Sequence, residues 1–221
     1  MSPELINMIA SSTLDTLVMV ALAGLFGTLA GLPLGVFLAT SRAGELFPAP
    51  NVNRIVGLVV NATRSTPFII LVVAIVPLTR AIAGTSIGTR AAVVPLTIAA
   101  IPFIARVIEG AIREVDQGLV EAARAFVASP PQIVQKVLLP EALPAVTLAL
   151  TLAIVSLIGY SAMVGAVGGG GLGDLGIRYG YQRFMPEVMA TVVAVLICLV
   201  QGVQSLGDFI SRRLDKRTRH S

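Results

Sequence analysis

The sequence predicts an all-α integral membrane protein, one domain spanning residues 1–221, with five transmembrane helices and a charged loop in the cytoplasm. Three observations predict it. Of the 221 residues 55% are hydrophobic and only 13% charged, with a mean hydropathy of +0.88, which belongs to a chain solvated by lipid. Segments near 14–40, 55–79, 90–109, 143–167 and 186–210 each approach the roughly 20 helical residues that cross a hydrocarbon core of about 30 Å. The basic residues then divide in a way that fixes orientation, because cytoplasmic connections accumulate Lys and Arg.

Residues 1–16 carry Glu4 and Asp15 and no Lys or Arg, so the basic start of a cleaved signal peptide is absent and this end is placed outside. Span one puts Gly27, Gly31 and Gly35 four residues apart, a spacing that lets helix backbones approach closely. The loop 41–54, with Arg42 and Arg54, falls in the cytoplasm.

Span two is interrupted by Arg64 within Asn61-Ala62-Thr63-Arg64-Ser65-Thr66-Pro67. A charge inside a span is expensive and faces protein, water or headgroups. Either Arg64 snorkels towards the cytoplasmic interface, or Arg64, Ser65 and Pro67 line the inner mouth of a polar path. Span three carries Pro95 and Pro102 on one face, which should bend or loosen it. At its inner end Arg106, Glu109 and Arg113 follow one turn apart and read as a solvated charge ladder.

Residues 113–142 form a charged, helix-patterned segment between spans three and four. Asp116 is placed to cap a helix running to Phe126, with Glu121 and Arg124 one turn apart on its surface. Ser129-Pro130-Pro131-Gln132 has the form of a second helix start: a Ser cap, Pro at the first helical position, and Gln three residues after the cap. Ile133, Val134, Val137 and Leu138 then share one face, and Gln132, Gln135 and Lys136 the other. This helix is expected to end at Leu139-Pro140. So short a helix pair is marginal in water and needs a surface to pack on.

Span four contains Tyr160, Ser161 and Met163, candidates either for core packing or for the path. Gly168, Gly170 and Gly173 satisfy G-x-G-x-x-G, but the run follows a membrane span rather than a strand, so it reads as a connector or an outer gate and not a nucleotide site. In span five Ala190, Ala194, Cys198 and Gly202 repeat the small-residue spacing. Residues 211–221 hold Arg212, Arg213, Lys216, Arg217 and Arg219, five of the sixteen basic residues. That tail, rather than nucleic-acid binding, accounts for much of the net charge of +4, and it reads as a cytoplasmic anchor.

Several function classes are disfavoured. An intramembrane enzyme needs a nucleophile with a base, or a metal set, yet the one histidine is His220 in the tail and Cys198 has no second cysteine. The lysines, Lys136 and Lys216, follow Gln135 and Asp215, so there is no phosphate-binding Gly-Lys-Ser/Thr. Span centres lack the Asp and Glu of ion-coupled carriers, and five spans do not divide into inverted halves.

Glu121-Ala122-Ala123 followed by Leu139-Pro140 resembles the cytoplasmic coupling loop of permease subunits of binding-protein-dependent ABC importers. That resemblance implies the type I importer permease fold and a pair of coupling helices docked on a separate ATPase. Glu121, Ala122, Ala123, Arg124, Val127, Ser129, Pro130, Leu139 and Pro140 would carry the contact. The family usually has glycine where this chain has Val127, and a β-branched residue at positive φ costs on the order of 1 to 2 kcal/mol. The turn is therefore expected to shift towards Ala128 and Ser129, leaving Val127 without a positive φ.

The segments 63–80, 84–88, 91–106, 132–144 and 159–173 further resemble the permeases of bacterial methionine importers. This implies a homodimer in the bacterial cytoplasmic membrane, joined to two copies of an ATPase that binds ATP and magnesium, and fed by an extracytoplasmic methionine-binding protein. L-methionine, and D-methionine with it, would be the cargo, and no cofactor would sit on this chain. Small polar groups and a polarizable Met163 beside Tyr160 and Ser161 would suit passage of a zwitterion with a thioether. A permease for another amino acid is the alternative.

Overall fold

Helix α1, Pro3–Thr40, starts well before the apolar run that predicts it. Ser11, Thr13 and Thr16 are polar residues that precede and begin that run. Each turns its hydroxyl onto a carbonyl three or four residues back, so the helix passes through them without an unsatisfied polar group. The structure is a computed structural model that describes residues 3–215; Lys216, Arg217, Arg219 and His220 of the basic tail lie outside the described residues.

The second span departs most from expectation. The apolar stretch near 55–79 is not one helix but three: α2, Pro50–Ser65; α3, Phe68–Ala74; and α4, Val76–Ala83. α2 and α3 meet at 101°. Pro67 is the cause, because its ring disfavours helical geometry in its predecessor, and Thr66 accordingly adopts φ −77°, ψ 125°.

Helix α5, Thr89–Arg113, runs unbroken through both Pro95 and Pro102, which are buried. It is the central element and packs along α1. Gly27, Gly31 and Gly35 make that contact possible, since a Cβ on Gly35 would stand 2.6 Å from the Ala105 carbonyl oxygen and one on Gly27 2.6 Å from the Ala100 Cβ. In lipid, where apolar burial gives little drive, such close van der Waals fit is what holds helices together.

After α6, Gln117–Ala125, and the short α7, Pro130–Ile133, the chain does not stop at Leu139-Pro140 as expected. It widens into a π-helical turn, Val134–Leu138, and continues as α8, Leu139–Ala166. The Leu139 amide bonds the Val134 carbonyl, five residues back. Widening the turn makes room for the Pro140 ring, so the missing amide is absorbed without ending the helix. The second half of the charged segment and the fourth span are thus one rod, residues 130–166.

The glycine run folds back as a tight, packed turn into α9, Gly171–Leu175. Gly168, Gly170 and Gly171 have φ of 90°, 79° and 73°, and the buried Leu172 amide donates to Thr16 Oγ1 of α1. A second π turn, Gly176–Tyr181, leads to α10, Pro186–Leu214. Among the described residues, four helices are long and apolar enough to cross a membrane, and the bent α2–α3 pair makes a fifth.

Candidate functional site

Two places collect the residues singled out above. The first is the loop between α5 and α8. Asp116 caps α6 as expected, its Oδ1 accepting from the Gly118 amide at 2.7 Å. Val120 is buried and Ala123 half-buried, which turns Glu121, Ala122 and Arg124 outward. At the other end the Ala128 amide bonds the Ala123 carbonyl at 3.2 Å and the Val127 amide bonds the Arg124 carbonyl at 2.9 Å. This 6→1 and 5→2 pair is a Schellman closure, which requires a left-handed residue after the helix.

That residue is Val127, at φ 56°. The expected shift of the turn to Ala128 and Ser129 is therefore wrong. Two satisfied carbonyls at the helix end outweigh about 1 to 2 kcal/mol of β-branched strain. The geometry leaves Phe126 and Val127 86% and 89% exposed, the most solvent-facing apolar pair of the loop.

Ser129 follows with its amide donating to Gln132 Oε1 at 2.9 Å, and Pro130 occupies the first helical position. The two-faced reading of the next segment holds: Ile133, Val134 and Leu138 are buried, and Gln132, Gln135 and Lys136 exposed. Leu139 and Pro140, by contrast, are half-buried in the rod. They border the π turn, and Pro140 also lines an open cleft with Glu141 and Pro144.

The second place is a pocket of about 150 Å³ lined by Thr63, Arg64, Thr66, Phe68, Phe103 and Tyr160, among others. The Arg64 guanidinium lies 5.8 Å from the Phe103 ring centroid, and Phe68 stacks on Tyr160 with centroids 4.5 Å apart. Arg64 and Tyr160 of the path candidates are thus brought together. Pro67 sits beside them as the cause of the helix break, while Ser65 turns its hydroxyl onto the Asn61 carbonyl. Ser161 is buried and bonds the Ile158 carbonyl, and Met163 is exposed outside the pocket lining.

The charge ladder at the inner end of α5 is only partly solvated: Arg113 is exposed, but its acid is not. Glu109 is only 4% exposed and gathers Arg42 at 2.7 Å, Arg106 at 2.5 Å and Arg113 at 4.0 Å. Arg106 further donates to Asn61 Oδ1 and to the Gly57 carbonyl, so the cluster ties the end of α1, α2 and α5 together. Spacing revealed Arg106 and Arg113 as partners of Glu109; Arg42, 67 residues away, left no local signal.

Long apolar helices packed around α5, with an exposed helix pair in the loop before the rod and a span broken at Pro67, define the membrane-spanning subunit of a transporter. The chain belongs to the family of binding-protein-dependent transport system inner membrane components, which matches residues 31–220. It is 54% identical over 211 residues to the "Probable D-methionine transport system permease protein MetI" of Vibrio cholerae, covering 96% of this chain and 94% of that one. Its fold matches a chain of a solved structure titled "Inward facing conformations of the MetNI methionine ABC transporter" with a TM-score of 0.96 at 48% identity, over 98% of this chain and 100% of that one. A structure titled "Crystal structure of an amino acid ABC transporter with histidines" shares the fold with a TM-score of 0.78 at 21% identity, over 94% of each chain. The fold is that of a type I ABC importer permease.

Proposed function

We propose that this chain is the permease of an ATP-driven importer for methionine, moving L-methionine and D-methionine along a path built by two copies of itself. The observation that carries the reading is the exposed loop tip. A helix pair locked by a Schellman closure and a proline-started rod presents Glu121, Arg124, Phe126, Val127, Ser129 and Pro130 to water. Exposed apolar groups rimmed by polar ones mark a protein–protein contact.

The partner at that surface is an ATPase, two copies to a dimer, which binds ATP and magnesium. Because α7, the π turn and α8 form one rod, a push on the tip is carried directly into the fourth span, whose Tyr160 faces the pocket. Methionine as cargo is supported by the relatives named above. By the same reading a methionine-binding protein docks outside, lipid and the second copy cover the apolar helix faces, and the chain lies in the bacterial cytoplasmic membrane. Its first residues are outside, and the loop and basic tail inside.

The test is Glu121→Lys, which inverts a charge on an exposed face of α6 and leaves the buried Val120 alone. The variant is expected to insert normally and to lose co-purification with the ATPase or the coupling of hydrolysis to uptake. Uptake at the wild-type rate would overturn the assigned role of the loop.

A further inference from the structure

We propose that Arg64 and the aromatic side chains around it form a binding site for the substrate inside the membrane, with Arg64 taking the α-carboxylate of a zwitterionic amino acid. The inference rests on the importer reading and deepens it by naming the chemistry of a site on this chain.

Position is the first argument. Phe103, over whose ring Arg64 lies, stands one turn of α5 before Arg106, where the charged inner end begins. The Arg64 guanidinium is laid over that ring and lines the pocket rather than joining the charged cluster. A charge between membrane-spanning helices is costly, and it is kept where it faces a cavity or a partner.

Charge balance is the second. Arg42, Arg106 and Arg113 converge on Glu109, whereas Arg64 makes no ion pair among the described residues and stacks on an aromatic face instead. Its fork of donors therefore remains available to a planar anion, the geometry a carboxylate offers. No carboxylate side chain lines the pocket.

The walls supply the third. Phe68, Phe103 and Tyr160 give an apolar, aromatic surface next to the guanidinium, suited to an uncharged side chain and to a polarizable sulfur in particular. Thr63 and Thr66 donate their hydroxyl protons to the Val59 and Ala62 carbonyls, which leaves hydroxyl lone pairs to accept from a substrate ammonium. The 101° break at Pro67 opens the span at this level, and irregular backbone at membrane depth is tolerated where it borders a cavity. A zwitterion with an apolar tail meets a complementary group at each of its parts.

Binding of labelled methionine to the detergent-purified permease–ATPase complex, without the binding protein, tests the site. Methionine and methionine amide, which lacks the carboxylate, serve as competitors. In the wild type, methionine is expected to compete at least tenfold better than its amide. Arg64→Ala is expected to weaken methionine at least tenfold and to reduce the preference over the amide to twofold or less, with Arg64→Lys between the two. Co-elution of both subunits checks that each variant assembles, and Arg64, exposed and held only by a ring, is a side chain whose loss leaves the packing intact.

Wild-type affinity for methionine in Arg64→Ala would overturn the proposal. So would an equal loss of methionine and amide, which marks a merely structural role. Wild-type complex that transports methionine in vesicles yet shows no carboxylate preference overturns the site alone. Failure of wild-type complex to transport methionine at all defeats the importer reading instead.

Discussion

Val127 holds a left-handed conformation that a β-branched residue adopts at a cost, and it does so on the most exposed point of the loop. Nothing packs over it to force the angle; the two carbonyls it closes at the end of α6 are the compensation. Gly at that position relieves the strain, so Val127→Gly is expected to stabilise the turn by about 1 kcal/mol. Slower hydrogen exchange at the Ala128 amide, which donates to Ala123, measures it; faster exchange would show that the valine side chain itself orders the loop. Local chemistry made the caps at Asp116 and Ser129 legible in the sequence, because a cap is a contact over two or three residues. The angle at Val127 was not legible: it depends on which of two competing local costs is larger. Glu109 was half legible. Its helical neighbours are fixed by a 3.6-residue period, but the reach of Arg42 from the end of α1 is set by the packing of whole helices.

Helices marked by hydropathy alone were found, though α1 begins well before its apolar run, and the two shaped by Pro67 and Pro140 were misread in opposite directions. Pro67 breaks a span that composition would run through, and Pro140 fails to break one that it was expected to end. The difference lies in what precedes each proline. Upstream of Pro140 a π turn opens the backbone ladder, while Thr66 before Pro67 leaves helical geometry altogether. Small-residue spacing likewise has two fates. The stripe at Gly27, Gly31 and Gly35 is consumed inside the subunit against α5, whereas Ala190, Ala194, Cys198 and Gly202 on α10 stay exposed on the single chain. Gly35→Ala puts a methyl 2.6 Å from the Ala105 carbonyl and is expected to cost roughly 1 to 3 kcal/mol. Gly110→Ala, at a glycine on α5 with open space around it, is expected to be neutral or to gain up to about 1 kcal/mol from helix propensity. Thermal unfolding of the purified permease in one detergent compares them; equal midpoints would remove the helix-contact role assigned to Gly35.

At the scale of the molecule, composition fixed the solvent and the spans fixed the class, while the cargo came from neither. Hydropathy of the spans measures only whether a helix prefers lipid, so it is silent about what passes between helices. The site chemistry sits where that preference is violated: one arginine in an aromatic pocket, one broken helix, and one rod that ends in an exposed tip. The tip and the pocket are joined by one rod, from Phe126 and Val127 through α8 to Tyr160. In the proposed function this rod couples ATP hydrolysis to methionine movement. The most direct measurement is uptake of labelled methionine by vesicles holding the permease with its ATPase, supplied with the methionine-binding protein and with ATP on the loop side. Uptake that needs ATP, rises with the binding protein and stops with a non-hydrolysable analogue is the expected result. ATP hydrolysis without methionine accumulation, or uptake indifferent to ATP, would contradict the account.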